Sequence, residues 1–374
     1  MENNQPTIIT RPMQPGEEKA VLSIMRRAFP VFMRLTFSAA MVRSAEQVLV
    51  ACVDGDIKGG TLLKTFDLPK YGKGGVVDWI FTDPSGRGLG LGNRLMDASM
   101  DWFNQAGCEQ SFAIVEGFNT NSSNLFARRG FSILTFNEQV QRFGIPGIIK
   151  VWLKTLHFFD LGHFLWGKPA QKTSESPSVQ LASALLLNMI IALLAGLRSS
   201  RASAGWGALT ILPLWVLTLM ILRNGLMALS ARLQGLSLRY RLWETGFVIS
   251  AIVMLMGGAF IPIPGSYYPK DNVWNYHQLI PKYGKTALFG SLPALLIAAA
   301  LFLLSNVVNP SGVMEILLST GYSMALVFSV VDILIPFFPL ISYNGRRIWD
   351  WNRWIWGIMA ALTIALWTSS VIGF

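Results

Sequence analysis

A glycine-rich turn in the N-terminal half is the part of this sequence with the clearest chemistry. An apolar run at residues 76–82 leads into Asp-Pro-Ser-Gly at 83–86 and Arg-Gly-Leu-Gly-Leu-Gly at 87–92, where an amphipathic stretch begins. This order predicts a strand, a tight turn and a helix. Glycines let backbone amides approach a ligand closely, and the first helical turn adds unpaired N–H donors and the positive end of its dipole. The turn is therefore suited to binding phosphates, and a pyrophosphate fits best.

Two alternative interpretations of the turn remain open. The glycines could serve only the close packing of a strand against a helix. A Rossmann dinucleotide site is disfavoured, because the strand comes late in the chain and no acidic residue closes another strand about 20 positions on. The nearest acidic residue on a following strand, Glu116, lies farther along.

Two carboxylates near the turn are candidates for acid–base catalysis. Asp78 lies within the predicted central strand, and Glu116 ends the next predicted strand, at 110–116. Either side chain could deprotonate an amine through a water molecule. The plainer alternatives are a buried, hydrogen-bonded carboxylate for Asp78 and a rim hydrogen-bond acceptor for Glu116.

The elements that would position these residues alternate between short apolar runs and amphipathic stretches from residue 7 to about 135. The pattern predicts strands at 8–11, 47–53, 58–65, 75–82 and 110–116 and helices at 17–29, 92–107 and 122–129. This is the order of an α/β domain.

Two ordered motifs in this domain resemble the GNAT superfamily of N-acetyltransferases. Residues 87–92, after the Asp-Pro turn, match the R/Q-x-x-G-x-G/A loop that binds acetyl-CoA in that family. The later series Asn119-x-x-Ser122-x-x-Leu125-Phe126-x-x-x-Gly130-Phe131 matches its N-x-x-A-x-x-L-Y-x-x-x-G-F segment. The resemblance covers residues 7–140 and implies a mixed, splayed sheet with acetyl-CoA, the cosubstrate, between the Val76 and Gln110 strands.

The resemblance also implies a role for individual residues. The backbone contacts to the pantetheine arm would come from Ile80, Phe81 and Thr82. The amides that hold the pyrophosphate would be those of Arg87, Gly88, Leu89, Gly90, Leu91 and Gly92. Further implied cofactor contacts are Ser122, Phe126 and Asn119, the last with helix capping as its alternative role. Many members have a tyrosine that protonates the departing thiolate, but Phe126 has no proton to donate.

The C-terminal half has the composition of a membrane domain. The chain is 52% hydrophobic, and apolar stretches occur at 180–197, 205–233, 244–263, 286–307, 314–340 and 354–374. A helix needs about 20 residues to cross the hydrocarbon core. We therefore expect an integral, multi-pass membrane protein with about six membrane helices, whose main partner is the lipid bilayer.

The expected boundaries follow from these compositions. Residues 1–140 form the acetyl-CoA-binding domain, 141–178 an amphipathic segment and linker, and 179–374 an all-α polytopic membrane domain. Two cysteines, Cys52 and Cys108, give no disulfide framework, and no signal peptide is evident, so the N-terminal domain is expected in the cytosol. Nucleic acid is not an expected partner, because the surplus positive charge comes mainly from the apolar half.

The membrane half resembles the archaeal-type site-2 protease family over residues 205–360. In that family H-E-x-x-H is followed by A-R and G, then by W, P-G, G-K and P-P-L-D-G elements. The corresponding residues here are Ala231, Arg232, Gly235, Trp243, Pro264, Gly265, Gly284, Lys285, Gly290, Phe338, Pro339, Leu340, Asn344 and Gly345. The metal-binding positions, however, are Arg223 and Met227 for the two histidines and Asn344 for the aspartate, with Asn224 in place of the glutamate.

These residues supply neither imidazole ligands nor a base for a metal-bound water. We therefore expect no metal and a catalytically degenerate scaffold, with a plain membrane anchor as the alternative. Arg223 and Asp332 lie in or beside apolar stretches, where they either pair or, for Arg223, extend to the membrane interface.

The expected function is that of a membrane-tethered N-acyltransferase. It would move an acetyl group from acetyl-CoA to an amine by direct attack, and the amine acceptor is a protein, a small molecule or a lipid head group. The alternative is an acetyl-CoA-sensing regulatory or scaffold membrane protein with a pseudoprotease bundle.

Overall fold

The computed structural model describes residues 6–29, 34, 37–68, 72–157, 161–170, 176–198, 205–271, 274–308, 310–337 and 340–373. It divides the chain into two compact units. The first comprises Met1–Val115, Asn121–His157 and Phe164–Thr173, and the second comprises Glu116–Thr120, Phe158–His163 and Ser174–Phe374.

The first unit is built on a seven-stranded mixed sheet. Its strands are β1 (Ile8–Pro12), β2 (Gln47–Val53), β3 (Asp56–Asp67), β4 (Lys73–Thr82), β5 (Cys108–Glu116), β6 (Ser132–Ile133) and β7 (His163–Lys168). Its helices are α1 (Glu18–Ala28), α2 (Ala39–Ser44), α3 (Leu91–Gln105), α4 (Thr120–Ala127) and α5 (Phe136–Thr155). The strand order is β1-β2-β3-β4-β5-β7-β6.

The strands β1 to β4 are antiparallel to their neighbours, whereas β4 and β5 are parallel. The pairing of β4 with β5 runs from Lys73 opposite Cys108 to Val77 opposite Ala113 and goes no farther. The last residues of both strands therefore leave the ladder and open a V-shaped gap in the sheet. This confirms the expected GNAT-type fold, with its mixed, splayed sheet.

The two faces of the sheet are covered by helices with apolar sides. Val21, Ile24 and Met25 of α1 are buried with Val50 and Leu62 of the sheet in one hydrophobic cluster. Burial of such side chains contributes about 1.5–3 kcal/mol each.

A glycine on β4 positions α3 closely. A Cβ at Gly75 would lie 2.5 Å from the ring of Phe103, which is 1% exposed. No residue with a side chain fits there without displacing the helix, so Gly75 fixes the approach of α3 to the strand.

Residues 141–178 differ from the amphipathic segment and linker that their composition predicts. Helix α5 extends to Thr155, and residues 163–168 form β7, which pairs with β6 through Ser132–Gly167 and Ile133–Trp166. Leu165 and Trp166 are 0% and 2% exposed. The aromatic residues in this region complete the sheet, because β7 lies between β5 and β6.

The second unit is mainly helical. Its helices are α6 (Pro177–Arg198), α7 (Gly205–Leu233), α8 (Glu244–Gly257), α9 (Tyr276–Val308), α10 (Val313–Ser329), α11 (Asn344–Trp351) and α12 (Arg353–Gly373). A two-stranded antiparallel sheet pairs β8 (Leu238–Arg241), which follows α7, with β9 (Ser266–Pro269), which follows α8. Helix α10 continues into a π-helical turn at Val330–Leu334.

Four helices of the described chain are long and apolar enough to cross a membrane by length and composition. These are Pro177–Arg198, Leu209–Leu233, Tyr276–Val308 and Val313–Leu334. The helix at the predicted crossing 244–263 is shorter than predicted. Helix α8 is a short apolar helix, because Gly258 ends it in the left-handed conformation at φ 65°.

Candidate cofactor site and protease-like centre

The phosphate-binding turn predicted at 83–92 begins with a carboxylate that fixes the chain. Asp83 Oδ1 accepts hydrogen bonds from the amide and the hydroxyl of Ser85, at 2.9 and 2.7 Å. Arg27 Nη2 lies 2.6 Å from Asp83 Oδ2. The bonds from Ser85, together with Arg27, lower the pKa of the Asp83 carboxyl to about 2. Asp83 thus holds the short 3₁₀ turn Pro84–Gly86 that precedes the glycines.

Two glycines of the turn have a backbone that favours glycine. Gly88 has φ 86° and Gly90 has φ 70°. A Cβ added to either would meet no atom within 4 Å, so packing does not require glycine here, whereas the backbone conformation does. Gly90 is the N-cap of α3 and accepts from the amides of Asn93 and Arg94.

The turn presents unpaired donors at its open side. Among the described residues, no carbonyl accepts from the amides of Gly88, Gly90, Leu91 and Gly92, while those of Arg87 and Leu89 make only long bonds of 3.4 Å. These donors lie at the N-terminus of a 15-residue helix, whose dipole favours a negative charge. The turn therefore has the donors and the field that bind a diphosphate.

The second motif is attached to the same helix. Arg129, just after α4, contacts Asp97 Oδ1 through Nε at 2.8 Å and donates through Nη2 to the carbonyl of Asn93 at 2.9 Å. Arg129 therefore joins α4 to α3 close to the glycine turn. Phe126 on α4 is 3% exposed and packs on Phe131 with ring centroids 5.2 Å apart.

The predicted pantetheine contacts lie on the part of β4 that is not paired with β5. Ile80 and Thr82 are half-buried, and the side chain of Phe81 is 4% exposed in the core. Trp79 pairs with Leu62 and Val77 with Leu63, which leaves Asp78 as an extra, unpaired residue in a β-bulge.

The candidate base on β4 is already paired. The Asp78 carboxylate lies 2.5 Å from Lys64 Nζ, and its side chain is 9% exposed. Its negative charge is therefore balanced by a neighbouring cation.

The remaining predicted site residues are divided between the two units. Ser122 is half-buried on α4. Glu116 and Asn119 belong to the second unit, where Asn119 is exposed and its amide donates to the carbonyl of Glu116 at 3.0 Å. The structure thus groups the turn and Asp78 in one unit, and Glu116 and Asn119 in the other.

The protease-like positions of the second unit form a buried polar cluster. Arg223 and Asp332 are 2% and 3% exposed, and Arg223 Nη2 lies 2.9 Å from Asp332 Oδ1. The expected pairing of these two residues is confirmed. Asp332 also accepts from the hydroxyl of Ser291 at 2.7 Å and from Nδ2 of Asn344 at 2.8 Å.

The space around this cluster is filled by side chains. A Cβ at Gly290 would lie 2.5 Å from Met227 Cγ and 2.9 Å from Asn344 Nδ2, and one at Gly284 would overlap Trp351. The glycines of the protease-like G-K element therefore make room for these neighbours. Phe338 and Pro339 of the last element lie outside the described residues.

The cluster does not fit a zinc ion. Zinc takes thiolate, imidazole or carboxylate ligands, whereas Arg223 is a cation and Asn344 binds Asp332. In the described part of the chain no group of three or more His, Cys, Asp or Glu residues is placed to hold a metal. Ser291 was not foreseen as a member; its only signal in the sequence is a hydroxyl within an apolar stretch.

Comparison with known proteins relates the N-terminal and the C-terminal part of the chain to different families. Residues 19–131 match the model of the Acetyltransferase (GNAT) family. This segment is a GNAT acetyltransferase domain, the class that the splayed sheet and the glycine turn define. The helical C-terminal region fits a site-2-protease-like membrane domain.

Two curated proteins of different kinds are similar to this chain. A mycothiol acetyltransferase of Sanguibacter keddieii is 32% identical over 152 residues, which is 37% of this chain and 47% of the relative. A putative zinc metalloprotease of Methanocaldococcus jannaschii is 26% identical over 129 residues, which is 34% of this chain and 63% of the relative. The chain thus spans about half to two thirds of the length of these relatives.

A solved GNAT family N-acetyltransferase from Escherichia coli, in complex with CoA, is also similar. It is 19% identical and covers 36% of this chain and 73% of its own, with a TM-score of 0.30.

Proposed function

We propose that this protein is a membrane-tethered N-acyltransferase that moves an acetyl group from acetyl-CoA to an amine. One observation carries the proposal: the unpartnered amides of Gly88, Gly90, Leu91 and Gly92 lie at a helix N-terminus, directly after a strand that separates from its neighbour. A diphosphate at the turn would leave the pantetheine arm to enter the gap between β4 and β5.

In the proposed reaction the amine nitrogen bonds to the acetyl carbonyl carbon while the carbon–sulfur bond breaks. The electron pair leaves on sulfur, and a backbone amide of β4 stabilises the oxyanion. The surplus proton of the amine passes through water to a carboxylate base, for which Asp78 and Glu116 are the candidates, and then to the thiolate. Phe126 takes no part in the proton transfer, since it has no ionisable group and packs in the core.

Asp78 and Glu116 are the two candidates for the base. The Asp78 carboxylate lies 2.5 Å from Lys64 Nζ and forms an ion pair with it. Asp78 also lies at the bulge of β4, so its substitution would test the position of this strand as well as proton removal.

The membrane half would hold the domain at the bilayer, with the GNAT domain on the cytosolic side. The four long apolar helices support insertion into the bilayer. We further propose that the protease-like half cuts no peptide bond, because Arg223 and Asn344 are engaged with Asp332 instead of a metal.

The test is acceptor-dependent release of CoA thiol from acetyl-CoA by the full chain in detergent micelles, with a library of amines. We expect release with at least one amine, and Gly90→Glu should reduce it about a hundredfold, since a carboxylate replaces the anion at several charge-assisted hydrogen bonds.

The matched control is Gly107→Glu at the opposite end of α3. Gly107 has φ 72°, close to the 70° of Gly90, and a Cβ there also meets no atom within 4 Å. Both substitutions therefore strain the backbone equally, and only Gly90→Glu should reduce the release of CoA thiol. Tight acetyl-CoA binding without release by any amine would favour a sensor, and equal losses in both variants would contradict the assigned turn.

A further inference from the structure

Helix α5 of the first unit has two apolar sides. Its buried side includes Ile148 and Phe143, and the ring of Phe143 packs on Phe112 of the sheet with centroids 5.6 Å apart. The other apolar side lies at the surface, and its residues are 48–56% exposed. We call this set the α5 stripe; it consists of Ile145, Ile149, Leu153 and, at the C-cap of the helix, Leu156.

The α5 stripe is a contiguous surface. Ile145, Ile149 and Leu153 are spaced by four residues, which places them on one side of a helix. In the described part of the first unit six large apolar side chains are exposed, and four of them belong to the stripe. Single exposed apolar side chains are ordinary, whereas a contiguous group indicates an interaction surface.

The charges that accompany the stripe in the chain are positive. Residues 139–159 contain Arg142, Lys150 and Lys154 but no Asp or Glu. Lys154 is exposed and Lys150 is half-buried. An apolar stripe beside lysines is typical of a helix that lies in the interface of a bilayer, where the apolar side chains enter the acyl region and the lysines reach anionic head groups.

The length of the chain after α5 also favours lipid as the partner. Strand β7 ends at Lys168, and α6, one of the four helices long enough to cross a membrane, begins at Pro177. The eight residues between them reach at most about 30 Å when extended. With α6 inserted, the first unit stays at the bilayer surface, where lipid is the most abundant apolar partner.

We propose that the α5 stripe is a membrane-binding surface and that its occupant is the lipid bilayer. From Ile145 onwards the helix lies in the plane of the interface, with the stripe among the acyl chains and Lys150 and Lys154 at anionic head groups. The proposal goes beyond a tether, because the first unit itself binds lipid through a defined side. It does not depend on acetyl transfer.

Spin labels test this contact in the full chain, in nanodiscs of phosphatidylcholine and phosphatidylglycerol. Cys52 and Cys108 are first replaced by alanine, and one nitroxide is attached through Ile149→Cys or Leu153→Cys. Collisions with oxygen report lipid, and collisions with a water-soluble nickel complex report water. We expect both labels to favour oxygen and to lie about 5–10 Å into the boundary between head groups and acyl chains.

Asn104→Cys is the matched control, because Asn104 is an exposed position of helix α3 on the opposite face of the sheet. Neighbouring residues of a strand point to opposite faces. A Cβ at Gly74 would lie 3.2 Å from the ring of Phe112, on the side of α5. A Cβ at Gly75 would meet the ring of Phe103 on α3. A label at Asn104 should therefore favour the nickel complex.

The collision rates at Ile149 and Leu153 decide between lipid, water and protein. Collisions mainly with oxygen would support the proposal. Labels that behave as the one at Asn104 does would place the stripe in water and overturn it. Few collisions with either reagent would mean that protein covers the stripe, from this chain or from a second copy, and would overturn it as well.

The lysines are tested by changing the lipid. Nanodiscs of phosphatidylcholine alone lack anionic head groups, so we expect phosphatidylglycerol to move the label at Ile149 deeper. Lys150→Gln/Lys154→Gln should remove most of that shift, because the attraction to anionic lipid comes from these two ammonium groups. An equal shift in the chains with and without Lys150 and Lys154 would contradict their contact with the head groups.

Discussion

The glycine turn and the protease-like cluster differ in whether their polar groups have hydrogen-bond partners. At the turn, the amides of Gly88, Gly90, Leu91 and Gly92 have no acceptor among the described residues, and a Cβ at Gly88 or Gly90 meets open space. In the cluster, the Asp332 carboxylate accepts from a guanidinium, a hydroxyl and an amide.

This difference indicates which of the two regions has polar groups available to a ligand. Donors that point at open space are satisfied by a bound anion or by water, whereas a buried carboxylate with three partners has no capacity left for a metal. The described turn thus has donors that a ligand could use, whereas the polar groups of the cluster are bonded to one another.

The largest effect is expected from breaking the buried ion pair. Arg223→Met leaves the Asp332 carboxylate buried without its cation, which should lower the free energy of unfolding by about 3–5 kcal/mol. Denaturant unfolding of the full chain in detergent measures this. Lys58→Met is the control, because Lys58 lies 3.7 Å from an Asp56 side chain that is 82% exposed, and exposed pairs contribute at most about 1 kcal/mol.

A second variant separates charge from packing. In Arg223→Met/Asp332→Asn the buried charge is gone, while an oxygen remains to accept from Ser291 and Asn344. The double variant should be more stable than Arg223→Met alone. If the two substitutions destabilise additively, Arg223 and Asp332 are not coupled as described.

A smaller, pH-dependent effect is expected at Asp83. Its pKa is lowered in the folded chain to about 2, below the ordinary 3.8, by the bonds from Ser85 and by Arg27. The stability that the ionised carboxyl provides is therefore complete above about pH 4 and is lost as the pH falls towards 2. The difference in melting temperature between the unaltered chain and Asp83→Asn should shrink over that range. A difference that stays constant from pH 6 to pH 2 would contradict this role of Asp83.

The smallest effect is expected from metals. Because Arg223 occupies a position that corresponds to a zinc ligand and is bonded to Asp332, EDTA should leave the melting temperature of the full chain unchanged. Elemental analysis of the purified protein should find far less than one zinc per chain. One tightly bound equivalent would mean that the second unit has a metal site of another kind.

The features that could be predicted from the sequence are mainly those that carry a local signal. The turn at 83–92 follows from residues that are close together in the chain, where glycine spacing constrains the backbone, whereas the splay of the strands was implied by the resemblance to the GNAT family. The pair of Arg223 and Asp332 is 109 positions apart, but charge in an apolar stretch was a sufficient signal.

Other features depend on contacts that no local pattern encodes. Strand β7 is short and aromatic, and its identity as a strand comes from its position between β5 and β6. A cavity of the second unit lined by Glu116, Arg346 and Asp350 joins segments more than 200 positions apart, and its residues carry no common motif.

The most direct test of the central claim, that the glycine turn holds the diphosphate of acetyl-CoA, is a calorimetric comparison of two ligands on the full chain. S-acetylpantetheine has the acetyl group and the pantetheine arm of acetyl-CoA but lacks the diphosphate and the nucleotide. We expect acetyl-CoA to bind about a hundredfold more tightly than S-acetylpantetheine, and Gly90→Glu to remove most of that difference while Gly107→Glu preserves it. A Gly90→Glu chain that still prefers acetyl-CoA by the full factor would contradict the claim.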